Sequence, residues 1–184
     1  MKRLKLCWLG LLAMIGLLVC FGVAAARVQE QEEESAETKQ YREDYDRMQK
    51  AVAISDPVKR ADALFAMMRD RPDSKVFDYA QGNYLLVLEN LSKTEKYAQV
   101  VTLSERFMKL RPKVGETYYF YGAALKNLQR YPEAMNALAK CAVTKNTAAR
   151  KARDFLEFVY RSQNSGSLVG LDKLLKKAQA EMGQ

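Results

Sequence analysis

Few side chains in this sequence could do chemistry, and their spacing restricts which chemistry that is. There is no histidine, so the commonest general base and metal ligand is missing. Neither a Ser-His-acid nor a Cys-His nucleophilic site can be assembled within the chain. Of three cysteines, Cys7 and Cys20 lie in an amino-terminal apolar run, and Cys141 stands alone beyond it. One thiol makes neither an internal disulfide nor a zinc site. On an apolar helical face it reads as a small buried hydrophobe. Carboxylate pairs such as Glu43 and Asp44 are expected on a solvent-facing helix surface, with nothing to draw two of them into a pocket. The nine glycines are scattered and form no phosphate-binding loop. Asn90-Leu91-Ser92 spells a glycosylation sequon, but Leu91 is expected in the core. No catalytic residue, metal ligand or cofactor is assigned, and an enzyme is not expected.

What remains is binding by charge. Residues 27–108 carry 13 Lys+Arg against 16 Asp+Glu, a net −3, whereas residues 109–184 carry 14 against 6, a net +8. Lys140, Lys145, Arg150, Lys151 and Arg153 form a basic patch where the sixth predicted helix meets the seventh. Such a patch attracts an acidic partner or an anionic membrane surface. The plain alternative is a solvated lysine-rich surface. Exposed aromatics are not interleaved with these charges, which argues against nucleic acid. A small-molecule substrate is not expected either.

The elements that must position these residues are helical throughout. Lys2, Arg3 and Lys5 precede an uncharged run from Leu6 to Ala26 that ends in Ala24-Ala25-Ala26. This is the pattern of an export signal. Twenty-one uncharged residues also match the ~20 that span a bilayer, so residues 1–26 are either a cleaved signal peptide or an uncleaved membrane anchor. Lipidation at Cys20 is a third route, disfavoured by the bulky Leu17-Leu18-Val19 before it. Cleavage and anchoring both place the rest of the chain outside the cytoplasm. The low cysteine content suits a bacterial periplasm. Residues 27–36 read as an acidic flexible spacer.

From about Glu37 apolar residues recur at three and four. The first helix carries Tyr41, Tyr45, Met48 and Val52 on one face. Asp56-Pro57 starts the second, with Asp as N-cap and Pro at the first helical position; Arg71-Pro72 ends it. Asp73 or Ser74 caps the third, whose inner face is Phe77, Ala80, Tyr84, Val87, Leu88 and Leu91. The fourth buries Val100, Val101, Leu103, Phe107 and Leu110. Gly115 opens the fifth (Tyr118, Tyr121, Ala124, Leu125) and Tyr131-Pro132-Glu133 the sixth (Ala134, Met135, Leu138, Cys141). Thr147 caps the seventh (Ala152, Phe155, Leu156, Val159, Tyr160), and Ser167 starts the eighth (Leu168, Leu171, Leu174, Leu175). No segment alternates apolar and polar residues as a strand does.

Tyr84, Leu91 and Tyr97 recur 34 residues later as Tyr118, Leu125 and Tyr131. The unit Gly115–Ala148, with Tyr118, Tyr121, Gly122, Leu125, Ala134, Leu138 and Cys141 in a large-and-small pattern, resembles a tetratricopeptide repeat. Gln81–Val114 resembles it less well, since Leu88 and Val100 stand where small residues belong. Tyr41–Ser74 resembles it least, and Pro72 to Pro112 spans 40 residues, six more than the period. The expected architecture is all-α: an α-solenoid of about three such hairpins over 37–146, then capping helices over 147–184. The resemblance implies a partner-binding groove lined by the first helix of each unit. Carried over by position, it comprises Leu85, Glu89 and Lys93, then Tyr119, Ala123, Lys126 and Asn127. Tyr119 is its natural anchor, the alternative being that it packs against a neighbouring helix. The expected function is a non-catalytic protein–protein interaction module, an adaptor or assembly factor of the bacterial cell envelope. A peripheral envelope protein that meets anionic lipid with its basic helices is the alternative.

Overall fold

The computed structural model describes residues 35–183. The expected leader and most of the acidic spacer lie outside the described residues. Among those described there are eight α-helices and no strand. They are α1 (Ala36–Val52), α2 (Pro57–Asp70), α3 (Phe77–Lys93), α4 (Tyr97–Leu110), α5 (Gly115–Asn127), α6 (Tyr131–Val143), α7 (Ala149–Gln163) and α8 (Leu171–Met182). None of these is long and apolar enough to cross a membrane. The chain divides into two units, 1–42 and 43–184. In the first, Ser35 caps α1: its Oγ accepts from the Thr38 backbone N–H at 3.2 Å, satisfying one of the donors that a helix start leaves unpaired.

In the second unit, α2 to α6 each pack on the next helix, and α2 also meets α4, α3 meets α5, α5 meets α7 and α6 meets α8. The links are made by local chemistry. Asp56 Oδ1 accepts from Lys59 N at 2.8 Å, and Pro57 opens α2. The Arg71-Pro72 and Arg111-Pro112 links share one backbone course: Arg71 N donates to Met67 O, and Arg111 N to Phe107 O. Neither Asp73 nor Ser74 caps α3, which begins after Val76 with no side-chain cap; Ser74 Oγ only accepts from Val76 N at 3.3 Å. Thr147 does not cap α7, and α8 begins at Leu171, not Ser167.

The 34-residue interval is visible in the backbone. Glu95 (φ 58) and Gln129 (φ 61) are both left-handed, each between the two helices of a hairpin. Around them the bonds repeat in register: Thr94 N to Asn90 O and Lys96 N to Leu91 O, then Leu128 N to Ala124 O and Arg130 N to Leu125 O. The six-residue excess has a definite place. Helix α3 has 17 residues against 13 in α5, and the other two extra residues lie in the link before α3.

The buried faces of α3 to α6 follow the expected periodicity, with Tyr84, Leu91, Phe107, Leu125 and Leu138 almost wholly inaccessible. Tyr84 stacks on Phe107 with centroids 4.8 Å apart and donates its hydroxyl to Leu103 O at 2.9 Å. Helix α1 is rotated from the expected face. Tyr41 and Tyr45 are exposed, whereas Asp44, Met48 and Ala51 are buried. Asp44 is therefore not solvent-facing; its carboxylate lies 3.8 Å from the Arg71 guanidinium. A buried acid needs such a partner, and two tyrosines tolerate water at their polar tips.

A left-handed non-glycine residue costs about 1–2 kcal/mol, of which glycine returns about 0.5–1 kcal/mol as unfolded-state freedom. Gln129→Gly should therefore raise unfolding free energy by about 0.5–1 kcal/mol, and Gln129→Val should lower it by about 1 kcal/mol or more. Urea midpoints measure this, and equal midpoints for the two variants would contradict the assigned turn.

Candidate functional site

Helices α3, α5 and α7, each packed on the next, border an open cavity of about 460 Å³. From α3 come Glu89, Ser92 and Lys93; from α5, Glu116, Tyr119, Phe120 and Ala123. Thr147 and Ala148 of the following link and Lys151 of α7 close the far side.

Each side is held by its own bonds. Tyr119 meets Phe120 edge to face at 5.6 Å, and Lys151 Nζ stands 5.6 Å from the Tyr119 ring centre, within the reach of a cation–π contact. Glu89 is tied to Lys93 at 2.6 Å, four residues on. Glu116 Oε1 accepts from both Thr147 N (3.1 Å) and Thr147 Oγ1 (3.0 Å), joining α5 to the α6–α7 link. Asn146 shapes that link. Its Nδ2 donates to Cys141 O (2.9 Å) and Thr144 O (2.8 Å), and its Oδ1 accepts from Ala148 N (2.8 Å). Both carboxylates at the cavity are thus engaged, whereas Lys151 has no ion-pair partner among the described residues. Ser92 Oγ is buried without a hydrogen bond. The cavity offers an aromatic wall and one unpaired ammonium.

Of the groove residues carried over by position, Glu89, Lys93, Tyr119 and Ala123 line this cavity together. Leu85 does not; it is half-buried against the core. Lys126 is half-buried outside the lining, and Asn127 is exposed with its Nδ2 turned back onto Ala123 O at 3.1 Å. Tyr119 lines the cavity and lies against α7 through Lys151. Sequence reasoning did not find Ser92, Glu116, Phe120, Thr147 or Ala148. Asn146, between two predicted helices, is a residue type that bonds its own backbone, and that signal was there to be read.

The basic patch is not one cluster. Lys140 faces elsewhere, bridging to Glu181 of α8 at 2.8 Å and lying 5.8 Å from the Tyr118 ring. Arg153 is paired with Glu157 at 2.9 Å. On α7, Arg150 lies roughly 100° and Arg153 roughly 160° around the axis from Lys151, so Lys151 alone of the five enters the cavity. Lys145 is exposed in the link.

No family model, curated protein or solved structure matches this chain.

Cys141 is fully buried, and burial pushes its thiol up to about 12, with the Asn146 contact at 3.6 Å opposing. Burial likewise raises Tyr84, and burial followed by a bond to Glu105 raises Tyr121, each to about 12. These groups favour the folded state below their unfolded-state values. Stability should therefore fall as pH rises from about 9 toward 12, first through Cys141 and then through the tyrosines. Urea midpoints at pH 8, 9.5 and 10.5 give the slope, which Cys141→Ala should reduce between pH 9 and 10. Iodoacetamide at pH 8 should leave the Cys141 peptide unlabelled until denaturant is added. Rapid native labelling would contradict its burial.

Proposed function

We propose that this chain is a non-catalytic, tetratricopeptide-like interaction module: an α-solenoid that holds a peptide of a protein partner in the cavity between α3, α5 and α7. Its place is the bacterial cell envelope, where it acts as an adaptor or assembly factor. Export through residues 1–26, with the domain periplasmic or tethered at the inner membrane, belongs to the same proposal.

One observation carries the reading. Tyr119, Ala123, Glu89 and Lys93, chosen by repeat position, meet around one cavity. Two others support it. The hairpins repeat in backbone register through Glu95 and Gln129, as stacked units must. The first helices of successive hairpins, α3 and α5, touch each other directly, which is how a stack presents a continuous inner surface. Within the cavity, Tyr119 and Phe120 can take an apolar or aromatic side chain, and aromatic anchors of this kind dominate peptide affinity. Lys151 remains for a polar or anionic group of the ligand. Both cavity carboxylates are already hydrogen-bonded or ion-paired, an arrangement for recognition and not for proton transfer.

Crosslinking and affinity capture from bacterial envelopes test this, run with the full chain and three variants that retain native helicity. Tyr119→Ala should weaken recovery of the captured partner roughly thirtyfold, a loss of ~2 kcal/mol. Lys151→Glu should weaken it less and in a salt-dependent way. Arg153→Glu should leave it unchanged. Recovery that is indifferent to Tyr119 and Lys151 would remove the cavity from the function.

A further inference from the structure

A second cavity shares no residue with the first. It arises because α8 leans on α6 and scarcely touches α7. The gap left between the end of α7, the start of α8 and the first turns of α6 encloses about 570 Å³, within the roughly 300–1,000 Å³ range of small-ligand sites. Its surface is largely apolar, built on Pro132, Met135 and Leu174. One end is pinned. Tyr160 donates its hydroxyl to Val169 O at 2.8 Å, and Gly170 (φ 94) passes so close that a Cβ there would lie 2.8 Å from the Tyr160 hydroxyl oxygen. Only glycine meets both the left-handed φ and that approach. The cleft is thus a consequence of tertiary packing with a defined wall.

Its charge is one-sided. Lys173 and Lys177, four residues apart on α8, stand on the rim, and no carboxylate lines the cavity. Lys173 has no ion-pair partner among the described residues. Lys177 reaches Glu181 only at 3.9 Å, and the other oxygen of that carboxylate is held by Lys140 at 2.8 Å. An apolar slot beside two weakly engaged ammoniums is complementary to a ligand with an aliphatic body and an anionic head. Two other occupants fit worse. A peptide would bring backbone N–H and C=O groups that must be satisfied, and the uncharged polar groups here are Asn136 and a Tyr160 hydroxyl already donating. A bilayer needs apolar groups that project outward, whereas Met135 and Leu174 are half-buried within the cleft.

We propose that this cleft binds a free, single-chain anionic amphiphile, a long-chain carboxylate whose tail lies on Met135 and Leu174 and whose head group sits between Lys173 and Lys177. The site is independent of the peptide cavity.

The test is photocrosslinking of the full chain with a diazirine-bearing dodecanoate, with labelled peptides mapped by mass spectrometry. Labelling should concentrate in 132–136 and 170–177. Excess dodecanoate should compete it away, and dodecyltrimethylammonium should not. The double variant Lys173→Glu/Lys177→Glu changes only exposed side chains and should cut labelling of those peptides roughly tenfold. Labelling elsewhere should be unchanged. Four results would each overturn the proposal: labelling confined to other peptides, equal competition by the cationic amphiphile, full labelling of the double variant, or labelling of these peptides from a photoreactive anionic lipid in vesicles with none from free dodecanoate.

Discussion

The contact on which the rest of the second unit depends is the crossing of α5 and α6. At Gly122 the two helices come so near that a Cβ would lie 2.8 Å from Leu138 Cγ and 3.1 Å from Ala134 O. Helices approach this closely only where one of them offers no side chain. The apolar interior falls into two clusters, and this hairpin belongs to both. Ala124, Leu125 and Ala134 join the cluster shared with α1 to α4. Tyr118, Leu138, Ala139 and Cys141 join the cluster shared with α7 and α8. A side chain at residue 122 would separate the pair that each cluster uses as a wall, whereas other core changes act on one cluster alone.

The preceding hairpin is built more loosely and is compensated by polar ties. Leu88 and Val100 stand where Gly122 and Ala134 stand one period later, and the backbones of α3 and α4 run close together along less of their length than those of α5 and α6. Arginines span the difference. Arg106 of α4 pairs with Asp62 of α2 at 2.6 Å, and its guanidinium lies 4.5 Å from the Phe65 ring centre. Arg111 lies 4.6 Å from the ring of Phe77, at the start of α3. A planar guanidinium can lie on an aromatic face and still bond at its edge, so it adds a polar tie across helices that already touch through their apolar side chains. The side chains that surround the cavity between α3, α5 and α7 inherit this framework. Tyr118 and Tyr121 point into packed surroundings, which leaves Tyr119 directed between α3 and α7.

Much of the helical order was legible because its signals are local. Pro57, Pro72 and Pro112 mark helix ends through backbone chemistry that needs no neighbours, whereas Gly115 makes room for Asn146. The inner face of α3 could be read residue by residue because a helix buried along one stripe must repeat its apolar positions at three and four. Where two readings of the same periodicity competed, the sequence was silent. In α1, Tyr41-Tyr45-Met48 and Asp44-Met48-Ala51 are both valid stripes, and the pairing of Asp44 with Arg71 selects the second. The caps expected at Asp73, Ser74 and Thr147 failed for a related reason. Those residues can bond their backbone wherever a helix starts nearby, but the start itself was set by packing at Phe77 and by Asn146.

Spacing by itself determined the helical class and the 34-residue register, because each rests on what a helix does with its own sequence; four of the residues that meet at the first cavity came only from the family resemblance. Tertiary structure alone decided which charges share a surface. Lys151 came to lie over Tyr119, Lys140 went to Glu181, and Lys173 and Lys177 came to edge an apolar cleft. A lysine side chain is long and its ammonium finds its place from the helix packed beside it. That neighbour depends on the angle at which one helix meets the next, an angle set by the volumes of residues far apart in the chain.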